Sequence, residues 1–288
     1  MDGLSPGLWG SFTALGWGTS DFIARFTGRA AGHQSALFGM LLTGSVALTL
    51  IVFVTGTKLN WAPGGLWLLV ASGLCIMLAT LWLYRGLAAG PISIVSPIVG
   101  AYPAVVVLLA VIFGARPSLL HWGAMAVTMA GVVVVARTAE SFEEAGKRSR
   151  GELRTTVIIS FLSAIGFALG VFTAQAAVPV YGNLQTIWVS RIVSLACLIL
   201  VFLGQRARPV IPTAWWPLVA LQGMIDTSGY LFLYQGSYGE DAEIAAVTAS
   251  AFGAVTTLLA RIFLKEKMPI LQWVGIFCIF AGVAVLSA

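Results

Sequence analysis

Charge is scarce in this chain: 9% of its 288 residues are Asp, Glu, Lys or Arg, against 59% hydrophobic. A soluble domain of this length needs far more polar surface, which excludes a water-exposed globule. Histidine is nearly absent, with His33 and His121 both near loops; no HExxH occurs, and the GxSxG string Gly3–Gly7 stands at the head of the first apolar run rather than on a nucleophile elbow. Metal-assisted and serine-type hydrolysis therefore have no residues to stand on, and an intramembrane enzyme is disfavoured. The three cysteines, Cys75, Cys197 and Cys278, all fall inside apolar runs. That placement suits small buried hydrophobes and argues against disulfides, bound metal or redox work, so no cofactor is expected. No Lys or Arg precedes the first apolar run and no small-residue cleavage site follows it, so it reads as a retained helix rather than a signal peptide.

What is present is apolar length. The mean hydropathy is +0.94, and the charges fall between stretches of about 20 residues, the length that crosses a hydrocarbon core. The expected spans are Leu8–Ile23, Ser35–Thr55, Leu66–Tyr84, Ile92–Phe113, Leu119–Ala136, Thr156–Pro179, Leu184–Leu203, Trp215–Tyr234, Ile244–Leu264 and Ile270–Ala288. The fold class is an all-α membrane protein of about ten transmembrane helices.

The chain also repeats itself. VVVLLAVIFGARPSLLHWGAMAVTMAGVVVVA from Val105 returns as VTTLLARIFLKEKMPILQWVGIFCIFAGVAVLS from Val255, with Trp122 matched to Trp273 and Gly131 to Gly282. Ala14-Leu15-Gly16-Trp17 answers Ala164-Ile165-Gly166-Phe167, and Leu83-Tyr84-Arg85-Gly86 answers Leu233-Tyr234-Gln235-Gly236. The polar stretch Thr138–Arg154 separates the copies, giving a first repeat at 1–137, a linker at 138–154 and a second repeat at 155–288. Five spans per copy is an odd number, so the second copy enters the bilayer inverted, the architecture of alternating-access carriers.

The formal net charge of +5 comes without an aromatic-interleaved basic patch, so no nucleic-acid partner is expected. Arg and Lys instead report topology. They crowd the loops on one side, with only Lys58 and Arg116 on the other, which puts the linker in the cytoplasm and both termini outside.

The tail LKEKMPILQWVGIFCIFAGVAVL, its earlier partner FGARPSLLHWGAMAVTMAGVVVV and the opening ALGWGTSDF resemble the EamA-type repeats of the drug/metabolite transporter superfamily over nearly the whole chain. Within it the sequence looks closest to the YddG-like amino-acid exporters. The resemblance implies a ten-helix carrier of a bacterial-type inner membrane, with a central cavity between two five-helix halves and small metabolites as cargo. Its usual arrangement of the termini differs from the one that the charge bias gives. Small multidrug-resistance relatives exchange protons on a Glu in the first helix, and no Glu occurs there in this chain.

Polar side chains in lipid are costly and mark function. Thr13, Trp17 and Asp21 share one face of the first helix, where Asp21 either lines a cavity or pairs with Arg25 one turn later. Asp226, Tyr230 and Tyr234 make a second stripe, an acid with two aromatic walls that suits the ammonium and side chain of an amino acid. Tyr84 is the repeat-mate of Tyr234, and Gln175 is a further polar candidate. Arg191 either snorkels to the headgroups or holds a substrate carboxylate. Pro97, Gly100 and Pro103 interrupt the fourth span and mark a hinge. The expectation is a monomer-competent, alternating-access exporter of small metabolites, foremost neutral, hydrophobic or aromatic amino acids. Its substrate site would use Trp17, Asp21, Tyr84, Gln175, Asp226, Tyr230 and Tyr234. Sugars, nucleosides and cationic compounds are the alternative cargoes, and a channel is the rival class.

Overall fold

A computed structural model of the chain describes residues 5–112, 118–138, 149–236, 248–249 and 251–286. Among these residues the structure is helical, without strands. The helices are α1 (Pro6–Ala31), α2 (His33–Val54), α3 (Leu66–Ala89), α4 (Ile92–Gly100), α5 (Tyr102–Ile112), α6 (Leu119–Arg137), α7 (Arg150–Tyr181), α8 (Asn183–Gly204), α9 (Trp216–Gly236), α10 (Phe252–Phe263) and α11 (Ile270–Leu286). Helix is the form in which an open chain segment satisfies its own backbone in lipid. Single residues, Gly32, Ala101 and Gly182, join α1 to α2, α4 to α5 and α7 to α8.

Five segments have the length and hydropathy to cross a membrane: α2, the stretch Pro63–Ala89, α6, α7 and α8. Shorter apolar helices cover Ile92–Val106, Phe252–Phe263 and Ile270–Val285. Large apolar side chains point outward, among them Phe53, Leu119, Ile270 and Phe277, each more than 70% exposed. An outer surface so apolar matches lipid rather than water.

Three helices depart from the sequence reading. α1 runs to Ala31, well past Ile23. α7 begins at Arg150, inside the stretch assigned to the linker, because Ser149 and Glu152 form a reciprocal capping box at its start. The fourth span is two helices rather than one. At Ala101 the chain makes three-residue bonds, Ala101 N–H to Ile98 O at 3.3 Å and Ala104 N–H to Ala101 O at 3.1 Å. Gly100 closes α4, and Pro103 falls in the first turn of α5, where a missing N–H costs little. Pro97 stays inside α4.

The second repeat breaks at the same place. Ala251 N–H bonds Thr248 O at 3.2 Å and Ala254 N–H bonds Ala251 O at 2.9 Å, the same pattern at an offset of 150 residues. Pro103 in one copy and Gly253 in the other are both poor residues for a helix interior. The two breaks lie close together: a Cβ added to Gly100 would stand 3.9 Å from the Gly253 Cα.

Packing follows a two-fold pattern. α1 lies along α9 as α7 lies along α3, and α2 meets α9 as α8 meets α3. The pairs α2–α8, α4–α10 and α6–α11 join the copies across the axis. Hydrogen bonds fix the direction of each copy. The last turns of α1 reach the α3–α4 turn through Arg25, and the α8–α9 loop meets the start of α2 where Ser35 accepts from Val210 N–H. This end carries most of the Arg and Lys residues and is called the basic end below. At the opposite end Tyr181, closing α7, donates to Ala62 O, and Asn60 and Gln185 bond each other. So α1 runs toward the basic end and α7 runs away from it, and the copies are inverted. Each first helix turns into the next at a glycine with positive φ, Gly32 at 79° and Gly182 at 73°, a conformation that costs other residues free energy. α6 and α11 approach closely because Gly131 and Gly275 face each other: a Cβ on Gly131 would stand 2.6 Å from Gly275 O.

Candidate functional site

Between the copies lies a cavity of about 560 Å³, a size that suits a small-molecule ligand. α1 presents Trp17 and Asp21 to it one turn apart, and α9 presents Asp226 and Tyr230 at the same spacing. α3 supplies Tyr84, and α7 supplies Gln175 at the rim away from the basic end. Six of the seven expected substrate residues thus line one cavity. The side chain of the seventh, Tyr234, lies outside the described residues. Thr13, on the same stripe as Trp17, does not line the cavity; its hydroxyl lies 3.1 Å from Trp9 O and from Gly229 O and ties α1 to α9.

The sequence reading missed several wall residues. Phe167, Tyr102 and Phe252 complete an aromatic box around Trp17 and Tyr230. Trp17 meets Tyr230 edge-on at 4.8 Å and Phe252 at 6.1 Å, and Tyr102 meets Phe167 at 6.3 Å. The repeat offset contained this signal, since Phe167 is the mate of Trp17 and Phe252 the mate of Tyr102. Thr80 with Tyr230, and Leu83 with Leu233, are further mated pairs on the wall. The ionic residues are not mated in kind: Val171 answers Asp21, Ile76 answers Asp226 and Leu41 answers Arg191. Shape is doubled across the axis, and charge belongs to one member of each pair.

Of the two readings that the sequence leaves open for Arg191, snorkelling is not the one observed. It is 6% exposed and lines the cavity, where its Nη2 donates to Asp226 Oδ2 at 2.5 Å. Its Nη1 donates to Met40 Sδ at 3.2 Å, and the guanidinium carbon lies 5.1 Å from the centre of the Tyr230 ring. Trp17 Nε1–H donates to the Asp226 backbone oxygen at 3.2 Å, which fixes the indole against α9. Asp226 is therefore occupied by a protein cation.

Asp21 is different. It is 8% exposed, faces the cavity, and its Oδ2 receives no hydrogen bond. The pairing with Arg25 left open by the sequence is replaced by other partners. Arg25 turns toward the basic end, donating to Gly90 O at 2.7 Å and Leu87 O at 3.2 Å, with Glu266 at 3.9 Å. Glu266 in turn accepts from Ile92 N–H and Ser93 N–H at the start of α4, a favourable place for a carboxylate.

Beside that ionic layer lies a neutral one. Gln222 Nε2–H donates to the Tyr84 oxygen at 2.6 Å, and Thr27 donates to Gln222 Oε1 at 2.9 Å. Two polar layers, both buried, thus close the cavity on the basic side. The mate of Arg25 is Gln175, which is exposed at the other rim. The site is thus a chamber between inverted halves, walled by aromatics and plugged at one end.

The profile of the EamA-like transporter family matches residues 5–137 and again 154–288. The chain belongs to that family. Its members are transporters rather than enzymes, and with its apolar helices this chain is a multi-pass membrane transporter of small molecules. An uncharacterized protein of Methanocaldococcus jannaschii is 28% identical over 135 residues, which cover 46% of this chain and 96% of that protein. A solved crystal structure has the same fold, with a TM-score of 0.68 over 99% of this chain and 98% of that one at 15% identity.

Proposed function

We propose that this EamA-family protein exports small metabolites that carry an amino group on an apolar or aromatic body, with neutral, hydrophobic and aromatic amino acids as first candidates. It works as a monomer in a bacterial-type inner membrane by alternating access, its two inverted halves rocking about the paired breaks at Ala101 and Ala251. Pro97, Gly100 and Pro103 form the hinge on one side of the axis. The observation that carries this reading is Asp21 Oδ2, buried without a hydrogen-bond donor on a side chain that faces an aromatic-walled chamber. A buried acceptor left unmade is expensive, and a substrate amino group supplies the missing donor. The aromatic box takes the apolar body and adds cation–π attraction. The closed basic end and the single-chain chamber favour a carrier over a channel, which needs a continuous wetted path.

The test is counterflow. Purified protein in liposomes preloaded with one amino acid or amine should accumulate the labelled compound from outside, saturably and faster than unloaded vesicles. Flux that neither saturates nor responds to preloading would refute the carrier reading.

A further inference from the structure

Three ionic side chains line the chamber among the described residues: Asp21, Asp226 and Arg191. Arg191 is the one cation of the set and is held by Asp226 at 2.5 Å. With every carboxylate and guanidinium ionised, the set holds one negative charge in excess, and it falls on Asp21.

From this arrangement we propose that the preferred cargo is a protonated amine without a free carboxylate: a monocation with an apolar or aromatic body. The proposal rests on the reading of this chamber as the transport site for amino-bearing compounds and, within that class, moves the preference from amino acids to simple amines.

Two binding modes can be compared by which charges they leave unpaired. An amino-acid zwitterion needs a cation for its carboxylate, and Arg191 is the available one. The substrate must then displace Asp226 and offer its own ammonium in exchange. That swap pairs four charges and leaves Asp21 bare. A simple amine instead places its ammonium on Asp21 and leaves the Arg191–Asp226 pair intact, so every buried charge is matched. A bare buried charge is the costly case. The zwitterion must also break a charge-assisted bond on entry, whereas the amine breaks none.

Geometry narrows the class further. Asp21 Oδ2 is short of a donor, so an ammonium bearing N–H groups satisfies it and a quaternary ammonium does not. The edges and faces of Trp17, Tyr230 and Phe252 then bound the apolar part of the molecule.

Matched compounds separate these modes. Proteoliposomes of the full chain are assayed by counterflow with tyramine against tyrosine and isopentylamine against leucine. N,N,N-trimethylated tyramine is the third arm. Each amine should exchange with at least about tenfold higher apparent affinity than its amino acid, and trimethylation should cost about tenfold. Asp21→Asn should abolish the preference for amines, and Asp21→Glu should retain it. Ligand-induced thermal stabilisation of each detergent-purified variant gives a readout independent of turnover and shows whether the variant is folded. Amino acids exchanging as well as or better than their amines would overturn the substrate class while leaving the carrier reading standing. Trimethylation that improves binding would overturn the role given to the Asp21 hydrogen bond. Failure of every compound to exchange or stabilise would overturn both the amine class and the amine-bearing cargo proposed above.

Discussion

Replacing Asp226 by Asn strands Arg191 in the protein interior. The two side chains are 6% and 16% exposed and meet at 2.5 Å. Breaking a buried ion pair by removing one partner costs about 3–5 kcal/mol, most of it from the charge left behind. Arg191 retains two weaker neighbours, Met40 Sδ and the Tyr230 ring. Those contacts are present before and after the change, but the amide that replaces the carboxylate still offers an oxygen to the guanidinium, a hydrogen bond worth about 1 kcal/mol that recovers part of the loss. The net destabilisation of Asp226→Asn is then roughly 2–4 kcal/mol, between thirtyfold and several hundredfold in the folding equilibrium. Removing both ions should cost much less than either removal alone, because no unpaired charge is left. A double-mutant cycle tests this: wild type, Asp226→Asn, Arg191→Leu and the double variant are unfolded in mixed micelles and their free energies compared. The expected signature is a double variant more stable than Asp226→Asn alone. Strictly additive losses would show that the pair is not a coupled unit and would undo the charge count on which Asp21 stands out.

Four further outcomes are expected. Gly131→Ala should lower thermal stability in detergent by about 1–3 kcal/mol, since its Cβ would press on the backbone of α11; unchanged melting would contradict the close α6–α11 contact. Tyr84→Phe should cost about 1–3 kcal/mol by leaving buried Gln222 Nε2–H without its acceptor, with the loss visible in the same unfolding assay. Arg25→Ala should loosen the plug: in a background lacking Cys75, Cys197 and Cys278, a cysteine at Thr27 should react faster with an impermeant maleimide applied from the basic end. Equal labelling rates would remove Arg25 from the closure. Tyr84→Ala and Tyr234→Ala should each weaken counterflow without preventing membrane insertion, and unchanged kinetics in both would take them out of the site.

Much of the fold was legible because two signals survive in a membrane sequence. Apolar length announces helices, and a constant offset announces duplication; together they located most spans and paired Tyr84 with Tyr234. Helical spacing then put Trp17 with Asp21, and Asp226 with Tyr230, on shared faces, and the structure brings these four to one chamber. What stayed hidden depends on contacts between distant segments. Arg191 and Asp226 lie 35 residues apart on α8 and α9, and no local spacing announces their pairing; the available clue was that a mid-span charge needs an opposite partner. Glu266 as the cap of α4 was hidden for the same reason. The start of α7 was misplaced because charged residues drew the linker boundary, although Ser149 and Glu152 carried a readable capping signal. The break at Ala251 was hidden because its repeat has no prolines to announce it.

The doubling of shape without doubling of charge has a consequence for engineering. Walls that come in pairs belong to the shared scaffold, whereas the ions occupy only one partner of each pair and can be exchanged between twin positions. Transplanting them, with Val171→Asp and Asp21→Val as the first step, would relocate selectivity to the opposite half of the chamber while the paired framework stayed the same.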